Sequence, residues 1–169
     1  MKIGMIVLVI SFLLDGFLSL WLPFQFNRLF ILKAMFTITT LVVIYPYFNH
    51  KNSRFYQAGL LFGFLYDIIY TNTWPFNTLV FLLLCYLIIV LNYLLVSNMI
   101  NLLIMQMVVL VSYELLSFLI LNIIGYTTIY LSDVIFKATH SLLLNLFYGW
   151  LLLMVLNLIS DKYKIKRLD

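Results

Sequence analysis

Long apolar runs separated by short polar stretches extend along the chain from residue 3 to about residue 159. A helix that crosses the ~30 Å hydrocarbon core of a bilayer needs about 20 mostly apolar residues, since each residue adds about 1.5 Å. The pattern therefore predicts an all-α integral membrane protein with a single transmembrane domain over residues 1–169. Its six predicted spans lie at about 3–22, 29–48, 55–71, 75–96, 100–124 and 136–159.

The break between the fourth and fifth spans, Ser97 to Asn101, is the least marked because it carries no charge. Without it, the two spans would form one apolar helix of about 50 residues, which is far too long for a bilayer. We therefore predict two separate helices here.

Composition excludes an ordinary soluble domain. Of the 169 residues, 65% are hydrophobic and 9% are charged, and the mean hydropathy is +1.11. A soluble domain carries charge on about a quarter of its residues. The formal net charge of +4 would suggest nucleic acid in a soluble protein. In this chain the cations flank apolar spans, so we expect contact with membrane lipid and no nucleic-acid partner.

Cationic residues predict the orientation, because positively charged flanks tend to stay in the cytoplasm. With the amino terminus inside, the inner side collects more cations than the outer side. The inner ones are Lys2, Lys51, Arg54, Lys162, Lys164, Lys166 and Arg167, and the outer ones are Arg28, Lys33 and Lys137. Both termini are therefore predicted to be cytoplasmic, with the basic carboxyl-terminal tail at the anionic inner leaflet.

Neither a cleaved leader nor a metal site is predicted. The first apolar run follows Lys2, as in a secretory signal, but no small-residue cleavage site occurs around Asp15 and Gly16, which predicts a retained helix. Cys85 is the single cysteine of the chain and lies in an apolar run. The sequence therefore predicts no disulfide framework and no cysteine-based metal site.

Three acidic residues fall inside predicted spans: Asp15, Asp67 and Glu114. An ionised carboxylate near the bilayer centre costs about 3 kcal/mol on insertion scales, so such acids normally face the protein interior or a partner. These three side chains are the first candidates for a structural or functional role.

Asp67 ends a stripe of small residues on the third helix. Gly59, Gly63 and Asp67 are spaced by four, which places them on one helix face, and glycines on such a face allow another helix to approach closely. We interpret the stripe as a packing or partner-binding face with Asp67 as its polar anchor. The alternative is that Asp67 merely reaches the nearby membrane interface.

Glu114 lies near the middle of the fifth span, where its carboxyl group must be protonated or paired. Its candidate partners are His140 and Asn145 on the sixth span and Asn92 on the fourth. We favour a neutral, hydrogen-bonded structural acid over a proton-carrying or partner-contacting one. Asn145 is expected to hydrogen-bond between helices.

The pattern F-L-x-D occurs twice, at Phe12 to Asp15 and at Phe64 to Asp67. Each aspartate precedes a Pro-Phe pair, Pro23-Phe24 or Pro75-Phe76. This similarity indicates either an internal repeat or a chance match in an apolar chain.

Two membrane aspartates also suggest an intramembrane aspartyl protease, in which two carboxylates share a proton. Proteases of that kind carry Y-D on one helix and G-x-G-D on another. Tyr66-Asp67 supplies the first pattern, but Leu13-Leu14 precedes Asp15. No G-x-S-x-G, H-E-x-x-H or phosphate-loop motif occurs either. We therefore predict a protein that is not an enzyme and has no catalytic, cofactor or metal site.

The stripe Gly59-x3-Gly63-x3-Asp67, followed by a short polar turn and a span that begins NTLVFLLLCYL, resembles the signature region of the MreD family of rod shape-determining proteins. The turn TNTWPFN, which contains Trp74 and Pro75, departs from the small, glycine-containing turn usual in that family.

The resemblance covers the whole chain, with its small size, about six spans and few charges. It includes an acid in the first helix, Asp15, an acid in the fifth, Glu114, and an asparagine ahead of aromatic residues in the last, Asn145. Together with the signature region, these residues give the candidate partner or packing positions. They are Gly59, Gly63, Asp67, Trp74, Pro75, Asp15, Glu114 and Asn145.

The resemblance implies a non-enzymatic scaffold of the cell-wall elongation machinery in the bacterial cytoplasmic (inner) membrane. Its implied partners are an MreC-like bitopic membrane protein and a RodA-type glycosyltransferase with its penicillin-binding transpeptidase. Its implied role is to help organise peptidoglycan synthesis and cell shape. It also implies a fold similar to that of the substrate-binding subunit of energy-coupling-factor transporters.

The alternative from another functional class is the substrate-binding subunit of a small-molecule, vitamin-type membrane transporter. Such subunits typically dock on their membrane partner through an A-x-x-x-A stripe in the first helix. The alanines here are Ala34, Ala58 and Ala138, and none lies in the first span. The sequence therefore favours the scaffold.

Overall fold

The computed structural model describes residues 2–21, 33–48, 52–95, 98–125 and 131–163. Of these residues 92% are helical and none lies in a strand, which confirms the all-α prediction. The helices are α1 (Lys2–Trp21), α2 (Phe36–Ile44), α3 (Asn52–Tyr66), α4 (Phe76–Leu94), α5 (Met99–Ile123) and α6 (Leu131–Tyr163). A 3-10 turn, Tyr45–Phe48, continues α2, and a π-helical turn, Asp67–Thr71, continues α3.

Three helices in the described part of the chain are long and apolar enough to cross a membrane. They are Phe76–Leu94, Met99–Ile123 and Val134–Ile159, and two shorter apolar helices lie at Gly4–Ser19 and Phe36–Phe48. The predicted spans at 75–96 and 100–124 correspond to α4 and α5, whereas α6 is longer than its predicted span at both ends.

The largest difference from the predicted spans concerns the second one, at 29–48. Its helix begins only at Phe36, and residues 33–35 are not helical, while residues 29–32 lie outside the described residues. With nine residues, α2 is only about 14 Å long. The hydropathy pattern overestimated the length of this helix, because hydropathy reports how apolar a segment is and not whether its backbone is helical.

α2 forms the centre of the bundle. All nine of its residues are buried, and it packs against α1, α5 and α6. The apolar residues of FTITTLVVI lie on every side of the helix and leave it no polar face, and such a helix is buried on all sides. Among its polar side chains, Thr40 is hydrogen-bonded, because its Oγ1 atom lies 2.7 Å from Ser11 Oγ of α1.

α3 and α4 pack closely against each other along the glycine stripe. A Cβ atom added at Gly63 would lie 2.8 Å from the Thr78 Cα atom and 2.9 Å from the Asn77 carbonyl oxygen, and one added at Gly59 would collide with Cys85 Sγ. The stripe predicted as a packing face therefore faces α4 of the same chain.

We expect Gly63→Ala to lower the free energy of unfolding by about 1–3 kcal/mol, because the backbone of α4 cannot move aside as a flexible side chain can. Gly4→Ala is the control, since a Cβ atom added there lies 3.9 Å from its nearest neighbour. The control should be neutral or slightly stabilising because alanine favours a helix over glycine. Denaturant titration in mixed micelles measures both, and equal stability of the two variants would contradict the close packing.

Candidate functional site

Asp15 of α1 caps the amino-terminal end of α2. Its Oδ1 atom accepts a hydrogen bond from the Phe36 N–H at 2.6 Å. Its Oδ2 atom accepts bonds from the Thr37 N–H at 2.8 Å and from the Thr37 hydroxyl at 2.6 Å. The first N–H groups of a helix have no partner inside the helix, and the positive end of the helix dipole favours a carboxylate. The buried Asp15 carboxylate satisfies both requirements.

Asn145 of α6 completes the same helix end. Its Oδ1 atom accepts a hydrogen bond from the Met35 N–H at 2.7 Å, and its Nδ2 atom donates to the Lys33 carbonyl at 2.9 Å and to the Ser141 carbonyl at 2.8 Å. The side chain is fully buried. The structure thus shows the inter-helix bonding expected of Asn145, and its partner is the backbone at the start of α2.

Gln106 of α5 supports Asn145 from the other side. Its Nε2 atom donates to the Asn145 carbonyl at 2.6 Å. Gly149 lies four residues after Asn145, and a Cβ atom added there would collide with the Gln106 side chain. Because Gly149 has no side chain, the buried Gln106 side chain fits between α5 and α6 and joins the two helices.

Aromatic side chains of α3 and its π-helical turn hold α1 in place. The Tyr66 hydroxyl donates to Asp15 Oδ2, and the Tyr70 hydroxyl donates to the Phe12 carbonyl at 2.6 Å. The Phe12 ring packs against Phe62, Tyr66 and Tyr70 at centroid distances of 5.8, 5.5 and 4.7 Å. Tyr66 therefore joins the cap of α2 to the end of α3.

Asp67 caps α4 as Asp15 caps α2. Its Oδ1 atom accepts from the Asn77 N–H at 2.7 Å, and its Oδ2 atom accepts from the Thr78 N–H at 2.8 Å and from the Thr78 hydroxyl at 2.7 Å. The side chain is fully buried. Both oxygens accept hydrogen bonds inside the chain, so the Asp67 carboxylate is an internal helix cap and is not exposed at the surface of this chain.

The two caps share one arrangement. In each, an aspartate accepts hydrogen bonds from the N–H groups of two consecutive residues and from the hydroxyl of the second residue, a threonine. The F-L-x-D similarity thus coincides with a shared role for the aspartates. The phenylalanines do not match, since Phe12 is buried and Phe64 is exposed. Pro23 and Phe24 lie outside the described residues.

Glu114 pairs with Lys33 and not with the predicted candidates His140, Asn145 or Asn92. The Lys33 Nζ atom lies 3.0 Å from Glu114 Oε1. The prediction of its partner was wrong because Lys33 was assigned to the outer flank of the second span. Since α2 begins late, Lys33 lies beside α5 within the bundle.

Tyr113 connects this ion pair to the cap of α4. The Lys33 ammonium lies 4.8 Å from the centroid of the Tyr113 ring, and the Tyr113 hydroxyl donates to Asn77 Oδ1 at 3.2 Å. Polar side chains thus form a layer across the bundle, which we call the polar layer. Its members are Asp15, Lys33, Tyr66, Asp67, Asn77, Tyr113, Glu114 and Asn145.

The acidic residues Asp15 and Asp67 of the polar layer act as hydrogen-bond acceptors for helix ends. The oxygens of Asp15 and Asp67 accept hydrogen bonds from N–H and O–H donors. Within the described ranges, no group of three or more His, Cys, Asp or Glu residues could hold a metal ion.

Trp74 and Pro75 differ from the other sequence-derived candidates because they are exposed. They lie in the turn before α4, where Trp74 has 68% of its surface exposed. Gly59, Gly63, Asp15, Asp67 and Asn145 are buried, and Glu114 is partly buried. The structure therefore divides the candidates into an internal set and an exposed turn.

Sequence reasoning missed several members of this arrangement. Tyr66, Thr37, Thr78, Lys33 and Gln106 carry hydrogen bonds that no motif indicated. The signal for Tyr66 was its position next to Asp67. The two threonines become recognisable only when the first residue of each helix is known, because a threonine elsewhere in an apolar run has many other roles.

A comparison with protein-family models matches residues 1–162 to the model described as rod shape-determining protein MreD. The chain belongs to the MreD family. This confirms the resemblance, and MreD membership implies a role in rod shape determination. MreD proteins are shape-determining structural membrane proteins and not a known enzyme family. Comparisons with curated proteins and with solved structures give no match.

In this MreD chain we expect Asp15→Asn to lower the free energy of unfolding by about 1–3 kcal/mol, because an amide N–H₂ group would replace one of the acceptors that face backbone N–H groups. Glu114→Gln is the comparison, and its loss should be smaller because the Lys33 side chain is half-exposed. Denaturant titration in mixed micelles measures the free energy of unfolding of both variants. A loss for Glu114→Gln as large as that for Asp15→Asn would contradict the dominant role of the cap.

Proposed function

We propose that this MreD-family chain is a non-enzymatic scaffold of the cell-wall elongation machinery in the bacterial cytoplasmic membrane. In this proposal it binds an MreC-like bitopic protein and helps a RodA-type glycosyltransferase and its penicillin-binding transpeptidase to act together. The family match over residues 1–162 is the observation that carries the proposal. The scaffold spans the membrane with six helices, has both termini in the cytoplasm and shares the fold of energy-coupling-factor substrate-binding subunits.

The structure of the polar layer supports a scaffold. Asp15 and Asp67 bind the ends of α2 and α4, and Glu114 pairs with Lys33. These acids therefore have partners within the chain and hold helices in fixed positions. A fixed arrangement of helices suits a protein whose task is to present surfaces to other membrane proteins.

The partner surface in this proposal lies outside the glycine stripe. Gly59 and Gly63 already pack against α4, so a partner helix has no access to them. Trp74 is exposed in the turn between α3 and α4, on the side predicted to be outer. An extracytoplasmic domain of a bitopic protein would meet Trp74 and Pro75 there, and aromatic side chains contribute strongly to interfaces.

The transporter alternative has less support. In membrane carriers, the amino terminus of a broken helix commonly binds the anionic group of a substrate. In this chain, the buried amino-terminal end of α2 is the comparable position. It is occupied by the Asp15 carboxylate and the Asn145 amide of the same chain. The position that a substrate anion would take is therefore filled.

Trp74→Ala tests the proposal. We expect the amount of MreC-like partner that co-purifies from native membranes to fall about tenfold, as loss of one interface aromatic predicts. Tyr93→Ala is the matched control, because Tyr93 is 69% exposed, at the opposite end of α4. Unchanged co-purification with Trp74→Ala, at equal protein level and stability, would remove this turn from the interface. Absence of any such partner from the unsubstituted protein would contradict the scaffold itself.

A further inference from the structure

We propose that water enters a recess in the bundle and reaches the Lys33–Glu114 pair, which forms the polar floor of a site open to small hydrophilic molecules. The recess opens toward the end of the bundle where α5 ends and α6 begins. This inference goes beyond the proposed scaffold role and does not depend on it.

The Lys33–Glu114 pair is more exposed than the other charged or amide side chains of the polar layer. The side chain of Lys33 is 48% exposed and that of Glu114 is 13% exposed. In contrast, the Asp15, Asp67 and Asn145 side chains of the same polar layer are buried. Unlike these three side chains, the ion pair is therefore accessible to a small molecule.

The contacts of Lys33 point to a concave surface around its exposed part. Its carbonyl accepts a hydrogen bond from the fully buried Asn145, which lies near the middle of the span Val134–Ile159. Its ammonium lies over the ring of the buried Tyr113 and 3.0 Å from Glu114 Oε1, on a side chain that is 13% exposed. A half-exposed side chain whose carbonyl and charged group both contact buried residues fits a recess in the bundle.

The chemistry of the ammonium group indicates what fills the recess. An ammonium carries three N–H donors, and the contacts of Lys33 within the described ranges are one Glu114 oxygen and the Tyr113 ring. Ionisable groups inside a membrane domain face the bundle interior or a water-filled cavity, because contact with acyl chains is strongly unfavourable. Water is therefore the expected partner of the remaining donor.

The end at which the recess opens follows from α5. Glu114 lies closer to Ile123, the last residue of that helix, than to Met99, its first. Lys33 extends toward Glu114 from the level of Asn145, as a lysine does when its charged group reaches toward water. The pair therefore points to the end where α5 ends and α6 begins.

Thiol labelling in membrane vesicles tests the recess. The test variant combines Lys33→Cys with Glu114→Gln, so that no unpaired carboxylate remains, and the control is Leu115→Cys. Leu115 is 37% exposed and adjacent to Glu114 in sequence, but it points away from the face of α5 that Tyr113 occupies. The parental protein, whose Cys85 is buried, gives the background.

We expect a membrane-impermeant, charged methanethiosulfonate to modify the Lys33→Cys variant at least about tenfold faster than Leu115→Cys, since a charged reagent does not enter hydrocarbon. Reaction should be fast only from the outer side if the termini are cytoplasmic. Equal, slow rates for both cysteines in properly folded protein would overturn the proposal.

A second measurement uses the unaltered chain and so does not depend on the folding of a variant. A sulfonated acetylating ester is applied to intact vesicles, and the acetylated lysines are identified by peptide mass. Acetylation of Lys33 supports the recess. Absence of acetylation at Lys33, under conditions in which the reagent modifies it fully after denaturation, would overturn it.

Discussion

The buried amino-terminal end of α2 imposes the constraint on which the rest of the structure depends. Backbone N–H groups in an apolar environment must be hydrogen-bonded, because no water is present to satisfy them. α2 begins inside the bundle, so its N–H groups at Met35, Phe36 and Thr37 need acceptors from elsewhere in the chain. Asp15 and Asn145 supply these acceptors.

This requirement organises the surrounding helices. Asp15 brings α1 to the start of α2, Asn145 brings α6, and Gln106 joins α5 to Asn145. Tyr66 then connects Asp15 to α3, and its neighbour Asp67 caps α4. Two helix ends and all six helices are thus linked by side chains that would be costly to bury without partners. The polar residues that are unfavourable in an apolar environment therefore join the helices to one another in the folded chain.

The sequence predicted the helical class, the family and the important polar positions more reliably than their partners. Apolar runs and glycine spacing are local properties, so α4, α5 and the close-packing stripe could be predicted. The late start of α2 could not, because its caps lie 21 and 110 residues away along the chain. The partner of Glu114 was missed for the same reason, since Lys33 comes close to α5 only when α2 begins at Phe36.

Amide hydrogen exchange of the protein in nanodiscs tests the central claim most directly. The N–H groups of Met35, Phe36 and Thr37 are predicted to exchange as slowly as those of Val42 to Ile44 inside the same helix, because Asp15 and Asn145 hold them in hydrogen bonds. Exchange as fast as that of the exposed turn at Asn72 would show that the end of α2 is not capped, and would contradict this description of the fold.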